Sequence, residues 1–149
     1  MLNIEQMIAD LLSGDEKRIL DASHTIIHSG ILNRKLINEL YPYLSEIKEK
    51  TSNLHYGGTI LPNSRFVEKA IRMIEDSVGD KCLCEYLFDG FGQNGKSMVK
   101  YGFVLLEENI DRDNYINRSI IECSGCRQQY QVEEEYTGWH ITTTRHRAI

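Results

Sequence analysis

Four cysteines in two close pairs are the residues of this chain whose types and spacing could do chemistry. Cys82 and Cys84 are separated by one residue, Cys123 and Cys126 by two, and 38 residues lie between the pairs. A structural zinc ion prefers four thiolate or imidazole ligands at the corners of a tetrahedron, and two short turns can supply two thiolates each. The serine and glycine within the second pair allow the backbone to curl. The spacing therefore predicts a structural Zn²⁺ site bound by all four cysteines.

Other interpretations of these residues remain open. The single residue between Cys82 and Cys84 is fewer than the roughly two to four that are usual in zinc sites. The thiols could instead be core side chains, since a reduced cysteine packs as a small apolar residue. Two disulfides would require an oxidising compartment, for which the sequence shows no secretory signal. A histidine could also replace one sulfur, and the candidates are His55, His140 and His146.

The charge balance argues against nucleic acid as the partner, although many zinc ribbons bind it. The chain has 17 Lys and Arg against 22 Asp and Glu, a formal charge of −5. Four thiolates around one Zn²⁺ would bring this charge to about −7. Such a surface repels a polyanion and attracts a basic protein. We therefore expect a metal with a structural role and a basic protein as the partner.

The pattern of apolar residues changes near residue 80, which divides the chain into residues 1–79 and 80–149. In the first part, apolar residues recur at the spacing of a buried helix face. About four helices are predicted there, and the second and third together have the size of a HEAT-type helical hairpin. After residue 80 the alternation is that of strands. The predicted fold class is α+β, with an N-terminal helical layer followed by an antiparallel, zinc-ribbon-like β meander.

Local signals predict where the helices begin and bend. Ser13 and Glu16 have the spacing of a capping box, which would start the second helix. Asn33 is a candidate cap for the third helix. Pro42 lies within that helix and lacks an amide hydrogen, so we expect a kink there. A loop over residues 51–63 then leads to the fourth helix.

Alternating apolar residues predict a series of strands in the second part of the chain. The predicted strands are residues 84–88, 98–106, 116–122, 129–135 and 139–145. A glycine-rich turn follows the first strand, and the turn of the second cysteine pair precedes the fourth. The metal would join the first strand to that turn and so close a long loop.

The usual signs of catalysis are weak. Glycines between residues 90 and 95 have the spacing of a dinucleotide-binding loop, but they lie between two predicted strands and not between a strand and a helix. His24 and His28 could meet on one helix face, yet the chain has no matching Glu-x-x-His arrangement to complete a metal site. We therefore expect a protein that is not an enzyme.

Carboxylates and tyrosines are interleaved from residue 101 onward. The tyrosines are Tyr101, Tyr115, Tyr130 and Tyr136. Aromatic rings anchor protein interfaces, while surrounding carboxylates steer a basic partner toward them. A solvated acidic face beside ordinary sheet aromatics would give the same pattern. The predicted partner-binding residues are Asp111, Asp113, Glu133, Glu134, Glu135, Tyr136 and Trp139.

The chain resembles the small immunity proteins of bacterial contact-dependent inhibition and related polymorphic toxin systems. The resemblance lies in residues 13–22, in residues 57–66, and in the cysteine pairs together with residues 136–140. It implies a non-enzymatic, cytoplasmic inhibitor that binds one cognate toxin domain, often a nuclease, and blocks it. This group has no shared motif, so the resemblance assigns no binding residues. We expect the inhibitor to cover the basic active-site groove of the toxin.

Two other classes of function remain open. A zinc-ribbon module that binds nucleic acid or transcription machinery would explain the cysteines directly. It would need a basic patch, for which the candidates are Arg118, Arg127, Arg145 and Arg147. An enzyme would need His24, His28 or an open zinc position. The sequence contains no run of about 18 apolar residues and no secretory pattern, so we expect a cytoplasmic protein.

Overall fold

A computed structural model describes residues 3–88, 94–138 and 142–149 of the chain. Within these residues, helices come first and an antiparallel sheet follows, so the predicted α+β class is confirmed. The chain forms two compact units, Met1–Tyr86 and Leu87–Ile149. The sequence pattern placed the division a little earlier, between residues 79 and 80.

The described part of the first unit consists mainly of α-helices. They are α1 (Ile4–Leu11), α2 (Glu16–Ser29), α3 (Arg34–Asn38), α4 (Leu44–Thr51) and α5 (Ser64–Asp76). Their apolar stripes form the core of the unit, as helical spacing requires. The side chains with no exposed surface include Ile19, Ile26, Ile37, Leu40, Ile47, Met73 and Ile74. Over the described residues, these helices are too short or too polar to cross a membrane.

The start of α2 shows that the predicted capping box of Ser13 and Glu16 is wrong. Asp15 is the cap, because its backbone is extended and its carboxylate accepts a hydrogen bond of 2.9 Å from the amide of Arg18. The Ser13 hydroxyl instead donates to the carbonyl of Asp10 and accepts from the amide of Asp15. A carboxylate has the advantage here because the positive end of the helix dipole favours negative charge.

Pro42 separates two helices where we expected one kinked helix. α3 ends at Asn38, a 3-10 turn covers Tyr41–Tyr43, and α4 begins at Leu44. The proline lies in the first turn of the 3-10 segment, where backbone amides have no acceptor within the helix. The missing amide hydrogen of Pro42 therefore costs no helical hydrogen bond. Asn33 occupies the N-cap position of α3 as predicted, but its side chain makes no capping hydrogen bond.

The second unit contains a four-stranded antiparallel sheet in its described residues. The strands are β1 (Phe103–Asp111), β2 (Ile116–Cys123), β3 (Gln129–Tyr136) and β4 (Thr142–Ala148), in the order β1-β2-β3-β4. This is the predicted meander. The strands predicted at 116–122 and 129–135 correspond closely to β2 and β3. The strand predicted at 139–145 overlaps β4, and its first three positions lie outside the described residues.

The predicted first strand, residues 84–88, is wrong. The chain forms a 3-10 helix at Leu83–Leu87 instead. Leu83, Cys84 and Leu87 are all buried, and this spacing fits one helical turn better than the alternation of a strand. A helical turn here places the cysteines at residues 82 and 84 at its start.

The strand predicted at 98–106 is wrong in its first half. A 3-10 helix covers Ser97–Tyr101, and Gly102 then takes a left-handed conformation with φ 102°. β1 begins only at Phe103. Glycine adopts this conformation without the steric cost that other residues incur, so Gly102 ends the helical turn and starts the strand. Residues 90–93 of the predicted glycine-rich turn lie outside the described residues.

One face of the sheet is apolar and buried near the cysteine end of β2. Ring packing supplies much of this core, because the Phe88 ring centroid lies 4.3 Å from that of Tyr130, 4.7 Å from that of His146 and 5.3 Å from that of Phe103. The strands alternate as expected for a sheet with one covered face. The buried positions of β2 and β3 are Ser119, Ile121, Cys123, Tyr130 and Val132.

Candidate metal centre

The four cysteines come together in the structure. The sulfur atoms of Cys82, Cys84, Cys123 and Cys126 all lie within 4.8 Å of one another. Cys84 belongs to the 3-10 helix Leu83–Leu87, and Cys123 is the last residue of β2. Thiolate sulfur is a soft donor that suits Zn²⁺, Cu⁺ or iron–sulfur clusters. The group could therefore hold a metal ion, and it consists of the four residues that the spacing predicts as ligands.

Hydrogen bonds within one short turn position the second cysteine pair. The amide of Cys123 donates to the carbonyl of Gln128 at 3.0 Å, and its carbonyl accepts from the amide of Arg127 at 2.9 Å. The amide of Gly125 donates to the Cys123 sulfur at 3.3 Å. Amide donors stabilise a thiolate, as in other sites where a backbone loop surrounds sulfur. Cys126 is thereby turned back toward the sulfur of Cys123.

The cysteines differ in their exposure to solvent. Cys84 and Cys123 are buried, Cys82 is half-buried and Cys126 is exposed. Gathering four thiolates at such short distances, two of them away from water, is unfavourable unless a cation compensates their charge. With four donors already present, a tetrahedral ion would have no position left for water. This arrangement is typical of a structural metal centre and not of a catalytic one.

Two of the three histidines considered as ligands, His55 and His146, do not join this group. Within the described parts of the chain, the group of residues able to hold a metal contains cysteines alone. His146 packs against the ring of Phe88, and the amide of His55 donates a hydrogen bond of 3.1 Å to the Glu16 carboxylate. His140 lies outside the described residues.

The two histidines of α2 pack as ordinary helix residues. The ring centroids of His24 and His28 are 6.2 Å apart, and the His24 ring lies 4.5 Å from that of Phe66 on α5. Burial lowers the pKa of His24 and outweighs the opposing effect of the Asp21 carboxylate. These contacts favour a neutral imidazole that packs against the neighbouring helix.

Glu133, one of the predicted partner-binding residues, already has partners within the sheet. Its carboxylate accepts a hydrogen bond of 2.8 Å from the Arg118 side chain on β2 and lies 3.8 Å from the Arg145 side chain on β4. The hydrogen bond from Arg118 lowers the pKa of Glu133, and the same contact raises the pKa of Arg118. These three side chains form a row across the open face of the sheet.

Asp111 holds the turn between β1 and β2. Its carboxylate accepts hydrogen bonds from the amides of Asp113 and Asn114 at 3.2 and 3.1 Å, and from the Asn114 side chain at 2.8 Å. The hydrogen bonds from Asn114 lower the pKa of Asp111. Asp113 itself is exposed at the tip of the turn. Asp111 therefore stabilises the turn, whichever partner the turn contacts.

An open pocket lies beside this turn, at the end of the sheet. Its volume is about 460 Å³, and most of its lining is apolar. The side chains of Ile110, Tyr115 and Tyr136 are 57%, 66% and 43% exposed. Two predicted residues, Glu134 and Asp111, also line it. The pocket thus brings together Asp111, Glu134 and Tyr136, three of the seven predicted partner-binding residues.

Sequence reasoning missed five residues of this pocket as site residues, namely Ile110, Arg112, Tyr115, Ile116 and Asn117. Tyr115 is one of the four interleaved tyrosines, but nothing in the sequence distinguishes it from Tyr130, which is buried under the sheet. Nothing in the sequence marks Ile110 as a site residue except its position next to a turn. Of the remaining predicted residues, Glu135 lies on β3 beside Glu134, and Trp139 lies outside the described residues.

Comparison with known proteins assigns no function to the cysteine group or to the pocket. The fold, the cysteine group and the pocket therefore have to be interpreted from their own geometry and chemistry. No protein-family model, no curated protein and no solved structure matches this chain.

Proposed function

We propose that this chain is a zinc-stabilised immunity protein of the bacterial cytoplasm, which binds a basic toxin domain and blocks its active-site groove. The toxin is a nuclease in this proposal, and the chain has no catalytic activity of its own. The observation that carries the proposal is the exposed pocket of tyrosines and carboxylates at one end of the sheet. Exposed aromatic rings beside acidic groups suit recognition of a basic protein surface.

Zinc is the metal that best fits the cysteine group. Zinc–sulfur bonds of about 2.3 Å in a tetrahedron place the sulfurs roughly 3.8 Å apart. The four sulfurs lie within 4.8 Å of one another, so small side-chain movements would complete the tetrahedron. A Cys₄ ion of this kind stabilises the fold. It supplies no activated water, because each coordination position is occupied by a thiolate.

The arginines proposed for a nucleic-acid site support a protein partner instead. Arg118 and Arg145 both approach Glu133, Arg127 pairs with Glu122, and Arg147 donates to Gln131. Glu122 and Glu133 thus offset two of these four positive charges. Phosphate binding depends on arginines and lysines whose charge is available to the backbone of the nucleic acid. With an overall formal charge of −5, the chain is suited to bind a basic protein surface that normally binds nucleic acid.

The direct test uses the protein encoded immediately upstream of this chain in its genome. Its C-terminal domain should bind the purified chain, with an association rate that falls steeply as salt is added. Co-expression of the chain should restore growth to cells that produce this domain. A nuclease domain from an unrelated toxin serves as the specificity control and should be neither bound nor inhibited.

Three results would contradict the proposal. One is absence of binding and of protection with the upstream domain. Another is binding of random-sequence RNA or DNA at physiological salt with micromolar affinity, which would favour the zinc-ribbon nucleic-acid module. Zinc-dependent hydrolysis by the purified chain, abolished by substitution of His24 or His28, would establish an enzyme instead.

A further inference from the structure

The pocket beside the turn between β1 and β2 is formed by a row of residues paired across three strands. Ile110 on β1 pairs with Asn117 on β2, which pairs with Glu134 on β3. Paired residues in neighbouring strands project from the same face of a sheet. The rings of Tyr115 and Tyr136 flank this row, with their centroids 6.2 Å apart. The pocket therefore presents apolar walls, two ring systems and a carboxylate within one small area.

A backbone hydrogen bond fixes the backbone of Tyr136 relative to that of Tyr115. The amide of Tyr136 donates to the carbonyl of Tyr115 at 3.0 Å. Tyr115 has φ 56°, a left-handed conformation that is uncommon for a residue with a side chain. The Asp111 carboxylate holds the preceding turn through its bonds to Asn114. The backbone positions of both tyrosines are thus fixed before a partner arrives, which reduces the entropy lost on binding.

The charges of the lining favour a cation. Asp111 and Glu134 contribute two negative charges and Arg112 one positive charge, so the lining carries a net charge of −1. The side-chain oxygen of Asn117 is buried and accepts no hydrogen bond from the described residues. A buried acceptor without a donor is unfavourable. Both observations favour a ligand that donates hydrogen bonds and carries positive charge.

We infer that this pocket is the binding site for an arginine side chain on the protein partner. The inference rests on the proposed function for the nature of that partner. A guanidinium group is planar, stacks on tyrosine rings, and donates two parallel hydrogen bonds to one carboxylate. Glu134 is the carboxylate that pairs with it, and the rings of Tyr115 and Tyr136 provide the stacking surface. Lysine lacks the planar group and binds the pocket more weakly.

A peptide titration tests the pocket without any toxin. The probe is the blocked tripeptide Gly-Arg-Gly, and chemical shifts of the labelled chain are followed by NMR. We expect shifts at Tyr115, Glu134 and Tyr136, with an affinity on the order of millimolar, as for a single side chain. The lysine tripeptide should bind more weakly. The citrulline tripeptide, which has a similar shape without the charge, should produce no saturable shift.

Matched variants separate the pocket from the rest of the surface. Glu134→Gln and Tyr136→Ala should each weaken binding of the arginine peptide about threefold or more. Glu135→Gln, the neighbouring position on the other face of the strand, should have no effect. Tyr41→Ala removes a ring of similar exposure, 44%, from the helical unit and should also have no effect. Arg112→Ala should strengthen binding, because it removes a like charge from the lining.

Several outcomes would overturn the inference. They are saturation by the citrulline peptide, binding of a glutamate tripeptide at the same residues, and the absence of localised shifts at tens of millimolar peptide. The proposed function fails separately. If the upstream domain binds Glu134→Gln and Tyr136→Ala as tightly as the unmodified chain, the pocket is not the contact and the immunity function stands. If the arginine peptide binds the pocket but the upstream domain does not bind the chain, the pocket is an arginine site and the immunity function is wrong.

Discussion

The amide of Gly125 donates a hydrogen bond of 3.3 Å to the sulfur of Cys123. The backbone of Cys123 closes the same turn through its bonds to Arg127 and Gln128. An amide donor favours the thiolate form of a cysteine, which is the form that binds a metal. The turn therefore positions the Cys123 sulfur and places an amide donor beside it.

Replacing Cys126 with serine tests the contribution of the most exposed ligand. A serine oxygen is a poor zinc ligand, so we expect zinc affinity to fall by more than about 100-fold, beyond the usual effect of removing a supporting partner. Hydrogen exchange should accelerate in β1 to β4 much more than in α1 to α5, because β2 ends at the site. Ser124→Ala changes the same turn without removing a sulfur and should behave as the unmodified chain. Equal zinc content in both variants would reject Cys126 as a ligand.

Acid should weaken the sheet through Glu133. The hydrogen bond from Arg118 lowers the pKa of Glu133 in the folded chain below its ordinary value of 4.5. A lowered folded pKa contributes stability above the unfolded pKa, and this stability is lost as the pH falls through the folded pKa. In urea unfolding, Glu133→Gln should therefore be less stable than the unmodified chain at pH 7. The difference should shrink at pH values below about 4.5. A difference that is independent of pH would contradict this assignment.

Alkaline titration should reveal the raised pKa of the Tyr86 hydroxyl. Burial, together with the hydrogen bond of 2.6 Å from its hydroxyl to the Asp76 carboxylate, raises the pKa of Tyr86 to about 12. The stability from this bond is complete below the ordinary tyrosine pKa of about 10 and is lost as the pH rises through 12. Absorbance at the phenolate wavelength should show a tyrosine that titrates near pH 12 and is missing in Tyr86→Phe. If Tyr86→Phe leaves the titration curve unchanged at its alkaline end, the hydrogen bond is not formed in solution.

Gly95 should not tolerate a side chain. A Cβ atom at this position would lie 2.0 Å from the Ser119 Oγ and 2.8 Å from its Cβ, both under the sheet. Gly95→Ala should therefore lower the free energy of unfolding by about 1–3 kcal/mol through overpacking. Adding Ser119→Gly should recover part of this loss. Gly79→Ala, where the nearest atom is 3.7 Å away, is the control and should change stability by less than about 0.5 kcal/mol. Equal thermal midpoints for Gly95→Ala and Gly79→Ala would refute the close packing.

The sequence predicts the elements whose pattern agrees with their tertiary environment. β2 and β3 alternate cleanly because one face is buried, and α2 and α5 carry apolar residues at helical spacing for the same reason. Leu83–Leu87 is different, because a helical segment of five residues is too short to show a helical period in the sequence. Its conformation depends on tertiary packing, which a local pattern does not contain.

The candidate sites show the same contrast. Four cysteines in two close pairs are typical of a metal site, so residue type and spacing alone predicted the cysteine group. Tyrosines have many roles, and the sequence does not distinguish exposed Tyr115 from buried Tyr130. Their difference arises from the strand register and from the left-handed backbone of Tyr115. Likewise, nothing in the pattern indicates that Asp111 holds a turn or that Glu133 pairs with two arginines.

X-ray absorption spectroscopy at the zinc edge identifies both the bound metal and the atoms that coordinate it. The chain should be purified without chelators, and its metal content should be measured on the same sample. We predict one zinc per chain, surrounded by four sulfurs at about 2.3 Å and no lighter atom. A fully folded chain that contains no metal and has four reactive thiols would contradict it, as would a zinc with nitrogen or oxygen in its coordination shell.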